Sequence, residues 1–120
     1  KKNMERYNCL NIALKNKFEI RKNPQGSIPN YDTFIFFLKN IKLKKIILKK
    51  IKKNNFGTKN LPDAIKWHCS AYWRHALPLK QVKRSIKTRK LLSSAVAIPI
   101  NLKKSVSDYK KLAKSILSIS

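Results

Sequence analysis

Apolar residues recur at helical spacing between Tyr31 and Asn54. The positions that share this spacing are Phe34, Phe37, Leu38, Ile41, Leu48 and Ile51. Lysines fill much of the remaining surface. Apolar residues that recur every three or four positions lie on one face of a helix. With Asn30 as the N-cap and Asp32 in the first turn, the pattern predicts a helix from about Tyr31 to Asn54.

Two further helices are predicted from their start signals. Asn60-Leu61-Pro62-Asp63 combines a capping residue, an early proline and an acid, so a helix is expected from there to about Leu77-Pro78. Ser105-Val106-Ser107-Asp108 resembles a capping box and precedes a clear amphipathic pattern that runs to the end of the chain. The predicted core positions of this last helix are Tyr109, Leu112, Ala113, Ile116 and Leu117.

After Pro78 the pattern changes to alternation. Val82 and Ile86 alternate with polar neighbours, which predicts a strand over about 79–87. A second strand is predicted over about 94–102, inside the uncharged run from Leu91 to Leu102, and the short segment between the strands predicts a β-hairpin. The apolar residues that alternate along this second strand are expected to face the helices. The run carries no charge because a charge buried there would have no partner. These residues are Val96, Ile98, Ile100 and Leu102.

The first thirty residues have a weaker pattern. Residues 1–20 are expected to form either a short helix or an extended basic arm, and the Pro- and Gly-containing segment 23–30 is expected to be a loop. The predicted organisation is therefore a basic N-terminal arm and loop over 1–30, followed by a helical domain over 31–120 with a hairpin at about 79–102. The fold class is mainly α: a small helical bundle with one protruding basic β-hairpin.

Charge points to the kind of partner. Twenty-nine Lys and Arg oppose five Asp and Glu, giving a formal net charge of +24 in 120 residues. Unpaired cations at this density repel one another unless a polyanion neutralises them, and nucleic acid is the commonest such partner. The helical domain is therefore expected to bind RNA through cations on and beside the hairpin: Lys80, Lys83, Arg84, Lys87, Arg89, Lys90, Lys103 and Lys104.

Other chemistries have weaker support. The chain has no paired carboxylates, Gly-rich phosphate loop or nucleophile–base motif, so neither an enzyme nor a cofactor is predicted. His68 and His75 are about 10.5 Å apart along a helix, too far for one metal ion, and no metal site is expected. Cys9 and Cys69 lack metal spacing and are expected to be reduced thiols.

Two alternatives concern apolar and aromatic residues. Trp67, Tyr72 and Trp73 could stack on bases, although aromatics on a helix of a small protein are more often core. The lysine-rich segment 39–53 also has the composition of a cationic membrane-surface helix. No uncharged run reaches the roughly 18 residues that a spanning helix needs, so membrane insertion is not expected.

Several short motifs resemble the small-subunit ribosomal protein seven family. Pro78-Leu79-Lys80-Gln81-Val82-Lys83 is similar to the family's P-x-x-E-V-R, with Gln in place of the acid. Ser94-Ala95-Val96-Ala97-Ile98-Pro99-Ile100 is similar to its G-G-A-x-Y-x-V-P-V return strand without the paired glycines, and 112–117 partly matches L-A-x-x-W-I. The resemblance covers about residues 31–117.

The resemblance implies a structural, non-catalytic role. It implies a constituent of the small ribosomal subunit that binds ribosomal RNA in the head, near the exit-site transfer RNA and the messenger RNA path, beside neighbouring small-subunit proteins. Lys, Ile and Asn make up 49 of the 120 residues and have codons rich in A and T, which favours a mitochondrial or other organellar ribosome. The alternatives are another ribosomal protein, a nucleoid protein that binds DNA, or a cationic membrane-surface protein.

Overall fold

The computed structural model describes residues 1–119, which form six α-helices and one three-stranded antiparallel sheet. The helices are α1 Lys2–Leu14, α2 Ile41–Lys53, α3 Ile65–His68, α4 Leu79–Arg84, α5 Ile86–Ser94 and α6 Val106–Leu117. The strands are β1 Glu19–Ile20, β2 Thr33–Phe37 and β3 Ala95–Pro99, and β2 lies in the middle of the sheet. The mainly α class is therefore confirmed, with a small sheet at the centre.

One face of the sheet lies on the main hydrophobic core. Phe34 and Phe36 of β2 pair with Ile98 and Val96 of β3, and all four side chains are fully buried. The helices α1, α2 and α6 cover this face. Their buried residues are Tyr7, Leu10, Leu14, Ile47, Ile51, Tyr109, Leu112, Ala113 and Ile116.

The opposite face of the sheet is covered by residues that follow α2 in the chain. Ala95 and Ala97 of β3 pack with Leu61 in a second, smaller core, flanked by partly buried residues that include Ile65 and Leu92. The outer edge of β3 is also paired, since Lys59 donates its N–H to Ala97 O at 2.8 Å and Ala97 donates to Leu61 O at 3.1 Å. The sheet is thus enclosed on both faces, and side chains of both parities along β3 are buried.

The predicted helix from Tyr31 to Asn54 is wrong over residues 31–40. Thr33–Phe37 forms β2, and the helix begins only at Ile41, where Asn40 Oδ1 accepts a hydrogen bond from Leu43 N at 3.0 Å. Aromatic and β-branched residues fit a pleated strand well, and burial on both faces removes the simple alternation that would have revealed it. Pairing with β3, which is distant along the chain, decides the outcome.

The predicted hairpin at about 79–102 is also wrong. Residues 79–84 and 86–94 are helical, and only the return strand is found, as β3, paired with β2 instead of with 79–87. Leu, Lys, Gln and Arg dominate the segment 79–84 and are all good helix formers. A few alternating residues cannot outweigh that preference. Within β3 and beyond, Val96, Ile98 and Ile100 are buried as predicted, whereas Leu102 is 56% exposed.

The two helices predicted from start signals have different outcomes. α6 is confirmed: Ser105 caps it and Asp108 closes the capping box. Of the five predicted core residues, Tyr109, Leu112, Ala113 and Ile116 are buried and Leu117 is partly buried. The helix predicted over about 60–77 is reduced to α3 and a 3-10 turn at Ser70–Tyr72. Cys69 separates them with an extended backbone, which buries Cys69 and Ala71 and leaves much of the aromatic surface outside.

The N-terminal segment is helical and belongs to the main core. Of the two interpretations of residues 1–20, a short helix and an extended arm, the structure has the helix, α1. Tyr7, Leu10 and Leu14 are buried against the same residues as α2 and α6. Residues 1–30 are therefore not a separate basic arm.

Candidate nucleic-acid interface

The eight predicted RNA-binding cations fall into two groups in the structure. Six lie on α4 and α5: Lys80, Lys83, Arg84, Lys87, Arg89 and Lys90. Lys103 and Lys104 lie in the turn after β3, whereas α5 directly precedes that strand. Six side chains are exposed, and those of Arg89 and Lys104 are half-buried.

The α4 and α5 helices each present cations to solvent. Ser85 ends α4, where it donates its N–H to Val82 O at 3.1 Å, and begins α5, where its carbonyl accepts from Arg89 N at 2.9 Å. Lys83 and Arg84 follow Lys80 by three and four residues, which places all three on one side of α4, and Lys87 and Lys90 are three residues apart on α5. Val82 of α4 is buried. We define the α4–α5 cationic surface as the exposed residues Lys80, Lys83, Arg84, Lys87 and Lys90.

A basic cleft adjoins this surface. It has a volume of about 600 Å³, lies between the C-terminal end of α5 and the start of α2, and is lined by the cations Lys39, Lys44, Arg89 and Lys90 without any carboxylate. Lys44 is buried, and its ammonium donates hydrogen bonds to Ser93 O and to Ala95 O, the latter at 2.9 Å. Burial lowers the pKa of Lys44. Its charge thus ties α2 to the end of α5, while the other three cations remain at the cleft.

The second group of cations is held by a hydrogen-bonded turn. Tyr109 of α6 is fully buried, and its hydroxyl accepts from Asn101 N at 2.8 Å and donates to Pro99 O at 3.1 Å. Lys104 O accepts from Arg6 Nε at 2.7 Å, and the Lys104 ammonium lies 5.0 Å from the centre of the Phe56 ring. The cation–π contact leaves Lys104 less free than Lys103 to meet a phosphate.

We expect Tyr109→Phe to destabilise the protein by about 1–2 kcal/mol, because Asn101 N and Pro99 O both lose their hydrogen-bond partner. Burial raises the pKa of the Tyr109 hydroxyl, so this stabilisation is fully present below the unfolded tyrosine pKa and is lost as pH rises through the higher folded pKa. Urea denaturation at neutral and alkaline pH measures the difference.

The control for this variant is Tyr31→Phe. The Tyr31 ring is half-buried and packs against Tyr7, and its hydroxyl lies outside the turn that Tyr109 holds. This substitution should change the free energy of unfolding by less than about 0.5 kcal/mol. Equal losses in the two variants would contradict a specific role of the Tyr109 hydroxyl in the turn.

The three aromatic residues that sequence reasoning favoured as core are not in either hydrophobic core, and Trp67 is largely exposed. Trp67 is 80% exposed and Trp73 is 37% exposed, whereas Tyr72 is half-buried. They surround a cleft of about 620 Å³. A signal was present in the sequence, since Lys66 and His68 flank Trp67, and Arg74 and His75 directly follow Trp73. Aromatics next to basic residues fit a solvent-facing segment better than a core helix.

Within residues 1–119 the cations have almost no internal partners. One salt bridge is formed there, between Lys59 Nζ and Asp32 Oδ2 at 2.9 Å, and both side chains are nearly half exposed. The hydrogen bond from Lys59 lowers the pKa of Asp32. The excess of positive charge is therefore presented to solvent and not neutralised within the fold.

Residues 1–119 show neither a grouping of metal ligands nor a membrane-spanning helix. Among residues 1–119, no three His, Cys, Asp or Glu side chains are grouped closely enough to hold a metal ion. None of the helices described is both long and apolar enough to cross a membrane. The apolar side of α2, with Ile47 and Ile51, is packed in the main core, so the lysine-rich helix does not present that side to a lipid surface.

Comparison of the chain with protein-family models, with curated proteins and with solved structures found no match in any of the three. The resemblance to the ribosomal family therefore rests on the short motifs alone. What the protein binds has to be inferred from its own charge distribution and geometry.

Proposed function

We propose that the protein is a structural RNA-binding protein that neutralises backbone phosphates with the α4–α5 cationic surface. The observation that carries this proposal is the set of five exposed cations on the consecutive helices α4 and α5 with no carboxylate to pair them. The chain has no Asp or Glu between Asp63 and Asp108, which includes both helices and the turn at Lys103. A surface of one sign and this density is typical of nucleic-acid binding.

Binding would proceed by charge neutralisation and shape fit without chemistry. Each lysine that meets a phosphate releases condensed counterions, so affinity depends steeply on salt. Arg84 adds the planar guanidinium that can hold a phosphate with two hydrogen bonds. The basic cleft at Arg89 and Lys90 extends the same surface toward α2.

The ribosomal resemblance supplies a specific RNA. We propose ribosomal RNA in the head of a mitochondrial or other organellar small subunit, with neighbouring small-subunit proteins and the transfer and messenger RNA paths close by. The support for this finer proposal is the set of motifs at 78–83, 94–100 and 112–117. The coarser proposal of RNA binding stands on the charge distribution and does not depend on them.

Filter binding across a salt series tests the coarser proposal. Structured RNA, duplex DNA and anionic vesicles of equal charge are titrated with the protein, and RNA is expected to bind tightest, with affinity falling steeply as salt rises. A preference for vesicles that survives high salt would overturn nucleic-acid binding. A clear preference for duplex DNA would replace RNA by the DNA-binding alternative.

Copurification tests the ribosomal proposal separately. The tagged protein, expressed in the cells from which its gene comes, is expected to sediment with small ribosomal subunits in a sucrose gradient at moderate salt. Sedimentation with large subunits, or with another ribonucleoprotein, would contradict the small-subunit assignment and leave RNA binding intact.

A further inference from the structure

The aromatic cleft beside α4 and α5 is not used by phosphate neutralisation. It is lined by Lys66, Trp67, Tyr72, Trp73, His75 and Ala76 and has a volume of about 620 Å³. Trp67 and Trp73 are the two tryptophans of the chain, and both are exposed. Large aromatic surface left in water in this way, in a protein with a well-filled core, indicates a binding surface.

The cleft is partly preorganised. The Trp73 indole donates its N–H to Lys66 O at 2.9 Å, which holds the ring in position across the turn from α3. Tyr72 has the Arg89 guanidinium over its ring, 5.8 Å from the centre. Trp67, on α3, has most of its surface free. A flat ligand could therefore stack on the Trp67 indole, beside the Trp73 ring that the hydrogen bond to Lys66 O already holds in place.

The charge around the cleft selects the ligand. No carboxylate lines it, and the cations Lys66 and Arg74 lie at or beside it, with His68 and His75 as further donors. Arg89 contacts Tyr72 and also lines the basic cleft, so the aromatic cleft and the basic cleft meet at Arg89. A ligand with flat rings on an anionic backbone matches both properties.

We propose that this cleft binds unpaired nucleobases of a single-stranded RNA segment, which stack on Trp67 and Trp73 while the flanking phosphates meet Lys66 and Arg74. The proposal rests on the proposed function, because the α4–α5 cationic surface brings the RNA to the cleft. It adds a preference for unpaired over paired RNA that phosphate neutralisation alone does not give. Stacking between a base and an aromatic side chain tolerates any base, so little sequence preference is expected.

Tryptophan fluorescence reports on this cleft alone, because both tryptophans line it. The full chain is titrated at one moderate salt concentration with a single-stranded homopolymer of uridine and with an RNA duplex that carries the same number of phosphates. Saturable quenching is expected with the single strand and little with the duplex. Stacking is lost when the indole is removed, so Trp67→Ala should weaken single-strand binding about tenfold.

The matched control is Leu102→Ala, which removes another exposed apolar side chain, 56% exposed, beyond the far end of β3. It should leave both affinities within about twofold, and Trp67→Phe should retain part of the single-strand affinity because a ring remains. Duplex affinity, measured by anisotropy, is expected to be the same in all three variants and the parent. Circular dichroism checks that each variant is folded.

The outcomes separate this inference from the proposed function. Equal quenching by duplex and single strand, or an unchanged single-strand affinity in Trp67→Ala, would overturn base stacking while RNA binding stands. Duplex binding without any quenching by the single strand would leave an apolar protein partner as the occupant of the cleft. Failure of the parent protein to bind either RNA would overturn the proposed function itself.

Discussion

Reversing three charges of the α4–α5 cationic surface should weaken RNA binding by about two to three orders of magnitude at 100 mM salt. The variant is Lys83→Glu, Lys87→Glu and Lys90→Glu; Lys83 lies on α4, Lys87 and Lys90 lie on α5, and all three are exposed. Each lost phosphate contact removes the release of about one counterion, so the slope of log affinity against log salt should fall by about two to three. Anisotropy titration at several salt concentrations measures both quantities.

A control with the same charge change is available on α2. Lys45, Lys49 and Lys52 are also exposed and have the same sequence spacing of four and three residues, so the triple substitution to Glu changes the net charge by the same amount. It should weaken binding by less than about tenfold through the long-range field alone. Equal losses in the two variants would show that binding depends on net charge and not on the α4–α5 cationic surface. Thermal denaturation checks that both fold.

Phe36→Ala should have the largest effect on stability, about 3–5 kcal/mol in the free energy of unfolding. Phe36 is fully buried in β2, where it contacts the rings of Phe18 and Phe34 with centres 5.4 and 5.9 Å away. Removing the ring leaves a cavity that the sheet and the covering helices cannot fill. Urea denaturation measures the loss, and the milder Phe36→Leu gives a measurable change of roughly 1–2 kcal/mol if the alanine variant is unfolded.

The matched control separates the observed strand from the predicted helix. Ile41 belongs to the apolar helical pattern 34, 37, 38, 41 in the sequence but is 71% exposed in the structure, so Ile41→Ala should cost less than about 0.5 kcal/mol. In a continuous helix from Tyr31, Ile41 would be a core residue and Phe36 would lie off the buried side. A larger loss for Ile41→Ala than for Phe36→Ala would contradict the β2 strand.

The last helix shows what local signals can predict. α6 begins where Ser105 and Asp108 form a capping box, and its buried residues follow a 3.6-residue period over two turns. Both signals lie within the helix itself, so no distant part of the chain is needed to interpret them. The same holds for Val96 and Ile98, whose place in an uncharged run predicted burial correctly.

The segments 33–37 and 79–90 show where such signals fail. In β2, Phe34 and Phe37 are spaced as on a helix, yet the strand is selected by pairing with β3, which joins residues some sixty positions apart. In α4, the alternation of a few residues predicts a strand, but helix propensity outweighs it. Both predictions are wrong because a short apolar pattern fits either period.

The candidate interface is divided in the same way. The cations were identified from the sequence and are exposed, apart from half-buried Arg89 and Lys104, because an unpaired charge is costly to bury in any secondary structure. The arrangement of these cations was not predicted from the sequence, since a β-ribbon was expected and helices are found. The exposure of Trp67 was missed because it depends on the break at Cys69, which ends α3 after one turn.

The sequence by itself determined the excess of positive charge, the residues that carry it, the start of α6 and the burial of Val96, Ile98 and Ile100 within the uncharged run. These properties belong to single side chains or to contacts within a few residues. Only the tertiary structure decided that Thr33–Phe37 pairs with Ala95–Pro99, that six of the cations lie on helices, and that two tryptophans remain in solvent. Strand pairing and the covering of one segment by another depend on residues far apart in the chain, and a local pattern carries no record of them.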